Sequence, residues 1–127
     1  MFQVVMEHQE PLNESGPFRV EVHFAGEIKV SPALARRRVN GYLGMNVMMA
    51  VLGGEPVLIL GQRPVWRVPA RFSPPGMKNA IPTIIGSIDV DANSGEVIPL
   101  TDDQIVAMQH LANAIVASSS LPATQAG

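Results

Sequence analysis

An α+β fold is the expectation for this 127-residue chain, and three features lead to it. Apolar and polar residues alternate in "FRVEVHF" (18–24), placing Phe18, Val20, Val22 and Phe24 on one side as in a half-buried strand. Ser31-Pro32 opens a helical stretch, Ser offering an N-cap oxygen and Pro fitting the first helical position. Thr101 followed by Gln104 is a capping box in front of a second helix. Strands grouped between helices indicate an antiparallel meander of about four to five strands, with a helix before it, a capped helix after it and both on one face.

Taken in order, "MFQVVME" (1–7) has strand character and "HQEPLNESGP" (8–17) is a polar connector. The first helix is expected over 32–43, with Leu34, Arg38, Tyr42 and Met45 along one stripe and Ala35, Val39 and Leu43 beside it. Gly41 and Gly44 each cost a helix about 1 kcal/mol relative to Ala, so a break near Gly44 and a short second helical piece ending at Gly53-Gly54 are expected. "EPVLILG" (55–61) reads as a buried strand. In "QRPVWRVPARFS" (62–73), Arg63, Val65, Arg67, Pro69 and Arg71 share one face, while Trp66, Val68, Ala70 and Phe72 share the other. "PPGMKNAIP" (74–82) is a loop, "TIIGSIDV" (83–90) a strand and "EVIPL" (96–100) a short return. In the last helix Ile105, Met108, Leu111, Ala112 and Ile115 form the apolar stripe. One domain is expected over 1–117, with 118–127 a disordered tail.

Charged residues make up only 16% of the chain, against roughly 25% in typical soluble domains. A surface this poor in charge has apolar area to cover, and a second copy of the chain is one cover for it. The net charge of −2 gives no general attraction to nucleic acid or anionic lipid. The absence of cysteine excludes disulfides, thiolate metal sites and cysteine nucleophiles. The N-terminus lacks the basic and apolar regions of a secretory signal. The longest apolar run, "MNVMMAVL" (45–52), is far short of the ~20 residues of a membrane span. A cytoplasmic protein with no membrane or nucleic-acid partner is therefore expected.

"GSIDVDANSGEVI" (86–98) poses a choice between a calcium loop and a hairpin turn. Asp89, Asp91 and Asn93 match the first ligand positions of an EF-hand loop, but Ser94 stands where Gly is needed and Leu100 where Glu is needed. The flanks are strand-like rather than helical. Asp91, Asn93 and Gly95 are turn-forming residues, and a hairpin turn is the expectation.

"VWRV" (65–68), Gly86 and "IDVDANSGEV" (88–97) resemble the end of a PepSY-type domain, in which a helix precedes an aromatic-x-Val strand and a strand–turn of the form V-D-x-x-T-G-x-V. "SPALARRR" (31–38) falls where that helix would start, so the resemblance spans about 31–98. Here strands precede the helix and a capped helix follows the turn. The resemblance implies a small cystatin-like unit that binds rather than catalyses.

No catalytic, metal-binding or cofactor constellation stands out. His8, His23 and His110 lack ligand-like spacing. No nucleophile elbow is present, and Asp102-Asp103 fit the first turn of a helix as dipole partners. "RRR" (36–38) points in three directions about 100° apart and forms no single flat face. Two surfaces remain. Met45, Met48, Met49, Met108, Leu111 and Ile115 are the candidate interface, for a homodimer or for another protein partner. Arg63, Arg67 and Arg71, beside Trp66, are the candidate anion or small-molecule contacts. If strands 66–72 and 83–90 pair, Arg67 would face Ser87 or Asp89 and the arginines would be balanced across the sheet. A non-enzymatic, self-associating interaction module is the leading expectation, and an anion-binding protein the alternative.

Overall fold

A computed structural model of the chain describes residues 3–6, 27–76 and 81–120. The described residues form an α+β fold, with two helices and a five-stranded open sheet. The elements are β1 (Gln3–Met6), α1 (Pro32–Asn46), β2 (Val51–Gly53), β3 (Val57–Leu60), β4 (Val65–Phe72), β5 (Thr83–Asp91) and α2 (Asp102–Ser120). The expected strand at 18–24, His8 and His23, the whole connector 8–17 and residues 121–127 lie outside the described residues.

β4 is the centre of the sheet because its partners occupy both edges. β5 pairs antiparallel along one edge, and β2 and β3 follow one another along the other. Gly53 opposes Ala70 and Val57 opposes Arg67, so residues 54–56 face only 68 and 69. That extra residue is a bulge, and it explains a proline inside a central strand. The Pro69 carbonyl accepts from the Gly54 N–H at 2.7 Å. A strand residue's N–H and C=O leave on the same side, so the missing donor of Pro69 faces the bulge, where the ladder is already broken. A second irregularity inserts Ile85 between the pairs Ala70–Gly86 and Arg71–Ile84.

Pairing between β1 and β3 is parallel, so the sheet is mixed rather than a pure antiparallel meander. A parallel pair needs a long crossover, and α1 and β2 lie in the stretch between these two strands.

Both helices cover the face that carries Trp66, Val68, Ala70 and Phe72. Ala35, Val39 and Leu43 of α1 and Met108 and Ala112 of α2 join these residues in one buried cluster. Trp66, 2% exposed, donates its indole N–H to the Val30 carbonyl at 2.7 Å. Two further bonds tie α1 to the segment before α2, and α2 to the segment after α1. The Tyr42 hydroxyl accepts from the Leu100 N–H at 2.9 Å, and Gln109 Nε2 donates to the Val47 carbonyl at 3.0 Å.

Two helix expectations are corrected. α1 runs unbroken through Gly44 to Asn46, and residues 51–53 form a strand instead of a second helical piece. Gly41 and Gly44 have open space around them, so the intact helix is held by its buried stripe of Ala35, Val39 and Leu43, which outweighs two weak helix formers. The stripe of Leu34, Arg38, Tyr42 and Met45 is the peripheral one: Arg38 and Met45 are exposed. α2 reaches Ser120, three residues into the expected tail.

Both helix starts form as expected. Ser31 Oγ accepts from Leu34 N at 3.1 Å. Thr101 and Gln104 exchange bonds in both directions, Gln104 N to Thr101 Oγ1 at 3.1 Å and Thr101 N to Gln104 Oε1 at 2.8 Å.

Candidate functional site

The residues singled out as anion contacts are dispersed by the fold. Arg67 stands directly across from Asp89, and its Nε and Nη2 donate to Oδ1 and Oδ2 at 2.9 and 3.0 Å. Arg63 lies 3.5 Å from Asp91 Oδ2. Trp66 faces the opposite, helix-covered side and is buried, so it is not beside the arginines. Arg71 is paired with Leu52 and Ile84 instead of a carboxylate, and its stem passes over Gly54. The arginine face thus carries a balanced charge ladder at Arg67 and Arg63, as cross-strand pairing allows. Beside it lies an apolar groove of about 600 Å³, whose walls include Val5, Val57, Ile59, Pro69 and Ile84.

Asp91 belongs to the hairpin turn. Its Oδ1 accepts from the Asn93 and Ser94 N–H groups at 2.8 and 2.9 Å, and its carbonyl accepts from Gly95 N at 2.9 Å. Gly95 has a φ of 79°, a conformation that suits glycine. Val90 and Val97 bridge the two arms. The Ser94 and Asn93 amides, with a smaller contribution from Arg63, hold the Asp91 carboxyl below its ordinary value of 3.8. Among the described residues, no group of three His, Cys, Asp or Glu side chains is placed to hold a metal ion.

A second cluster escaped the sequence reasoning. Arg36, Arg37 and Asn40 of α1 meet Glu55 and Arg71 around a cleft of about 540 Å³ at the bulge. Two glycines make this convergence sterically feasible. A Cβ on Gly54 would sit 2.7 Å from Arg71 Cδ, so the bare backbone lets the arginine stem cross the strand. A Cβ on Gly53 would sit 2.9 Å from Val68 Cγ1 and 3.2 Å from Asn40 Oδ1. Instead the Gly53 N–H donates to Asn40 Oδ1 at 2.6 Å, and its carbonyl accepts from Arg36 Nε at 2.9 Å. The Gly53-Gly54 pair was the available signal. It marks a close approach of α1 and Arg71 to a strand, not the end of a helix.

The apolar candidates also divide. Met45 and Met49 are 89% and 86% exposed, and Leu111 is exposed too. Met48 and Ile115 pack partly against the core, and Met108 is inside it, against Gly86. His110 is exposed on α2. Among the described residues no helix is long and apolar enough to cross a membrane.

No protein-family model, curated protein or solved structure matches the chain.

Proposed function

We propose that the chain is a non-enzymatic interaction module that works in the cytoplasm and self-associates as a homodimer through the segment joining α1 to β2. One observation carries this reading. Met45 and Met49 present long apolar side chains almost entirely to solvent from a segment that is itself anchored. Val47 between them is buried, the Val47 and Met48 amides both donate to the Leu43 carbonyl, and Gln109 holds the Val47 carbonyl. An ordered segment that displays two methionines suits an adaptable contact surface. Burying each such side chain is worth about 1.5–3 kcal/mol, and a two-fold contact doubles the gain by using the same patch twice. The PepSY-type resemblance over 31–98 supports the same class of role, binding rather than catalysis.

Sedimentation velocity over a concentration series tests the reading. The wild-type chain is expected to sediment as a dimer and the M45K/M49K variant as a folded monomer. A wild-type chain that stays monomeric throughout would sink the self-association.

A further inference from the structure

Three arginines, from two distant parts of the chain, line one concavity. Arg36 and Arg37 come from the second turn of α1, and Arg71 arrives from the end of β4 over Gly54. Glu55 also lines the cleft, so among the described residues three positive charges less one negative leave an excess of two. Its volume of about 540 Å³ lies within the range of small-ligand sites. Like charges lining a concavity focus the field and draw in counter-ions, and a bound anion relieves their repulsion.

The cluster is positioned rather than incidental. Arg36 is held by its Nε bond to the Gly53 carbonyl, which leaves its two terminal nitrogens as donors. The Asn40 oxygen is engaged by Gly53 N–H, which leaves its amide NH₂ as the donor. Within the described residues, neither Arg37 nor Arg71 has an ion-pair partner, in contrast to Arg63 and Arg67. Pro32 and Ala33 of the first turn of α1 complete the wall, where the helix end is electropositive.

We infer that this cleft binds the phosphoryl group of a small phosphomonoester. Such a group carries about −1.5 to −2 charges at neutral pH, which matches the cleft's excess, whereas a single carboxylate would neutralise only half of it. Guanidinium forks fit phosphate oxygens in pairs, and several forks can share the oxygens of one phosphoryl group. The site is separate from the methionine segment, so it stands or falls independently of self-association.

Calorimetric titration of the full chain with glycerol phosphate tests the inference, with inorganic phosphate, citrate and a short single-stranded oligodeoxynucleotide as parallel arms. Saturable binding of glycerol phosphate is expected, and of inorganic phosphate if the phosphoryl group alone suffices. R37Q and R71Q should each weaken binding by about tenfold or more, the loss expected for a charge-assisted contact. R71K, which keeps the charge but lacks the fork, should recover only part of the R71Q loss. R38Q removes the same charge from an exposed position outside the cleft and should bind as the wild type does. Thermal melts of each variant separate lost binding from lost folding. Absence of saturable heat with the wild type, an equal loss in R38Q, or tighter binding of citrate or the oligonucleotide would overturn the assignment.

Discussion

Arg67 and Asp89 lie opposite one another in the β4–β5 register and form a two-pronged ion pair, with contacts of 2.9 and 3.0 Å. Their side chains keep 39% and 25% of their exposure, so water screens the attraction substantially. A coupling of about 0.5–1 kcal/mol is expected, at the upper end for exposed pairs because the geometry is bidentate. A double-mutant cycle of R67A and D89A, followed by urea unfolding, measures it. The coupling should shrink as salt is raised, and strictly additive single mutants would show the pair to be ornamental.

Asp91 should make the turn acid-sensitive. Its carboxyl is held below the ordinary value, chiefly by the Ser94 and Asn93 amides. A folded-state value below the unfolded one contributes stability that is complete above the unfolded value. That stability disappears as pH falls through the folded value. D91A should therefore cost about 1 kcal/mol at neutral pH, with the difference from wild type narrowing below about pH 4. Melting temperatures across an acid series check this, and a constant difference would contradict it.

Two glycines on the core face should respond differently to alanine. At Gly53 a Cβ would meet Val68 Cγ1 at 2.9 Å and the bonded Asn40 oxygen, so α1 must lift from the sheet. At Gly86 the neighbours are Met108 side-chain atoms at 3.1 to 3.2 Å, which can rotate away. G53A should cost about 2 kcal/mol and G86A less than about 1 kcal/mol. Denaturant unfolding of both variants decides, and equal costs would show that Met108 has no freedom to move.

The only tryptophan reports on the core. Trp66 is enclosed and bonded to the Val30 carbonyl, so its emission should be blue-shifted and poorly quenched by acrylamide until the chain unfolds. W66F removes both volume and that bond and should cost about 2–3 kcal/mol. Ready quenching in the native state would place the indole elsewhere.

Features whose partners lie close along the chain were legible from the residues. The Ser31 cap, the Thr101–Gln104 box and the Asp91–Gly95 turn each close within a few positions, so the spacing of residue types is nearly sufficient evidence. Alternation in β4 likewise placed Trp66, Val68, Ala70 and Phe72 together, because side-chain period follows from strand geometry alone. The Arg67–Asp89 pairing was foreseeable once β4 and β5 were taken as a hairpin, although Ser87 remained an equal candidate. Gly41 and Gly44 misled, since the cost of glycine is local and the burial that offsets it is not. Met108 likewise belongs to the apolar stripe of α2, but only its position over Gly86 shows that this residue is spent on the core while Leu111 stays exposed.

The sequence by itself determined the α+β class, both helix starts, the hairpin turn and the two faces of β4, all consequences of short-range geometry. Tertiary structure alone decided the parallel placement of β1, the bulge opposite Pro69, the exposure of Met45 and Met49 and the meeting of Arg36, Arg37 and Arg71. Each of these depends on contacts between segments far apart in the chain. Residue spacing carries no distance information across such separations, and only the packed sheet and helices supply it.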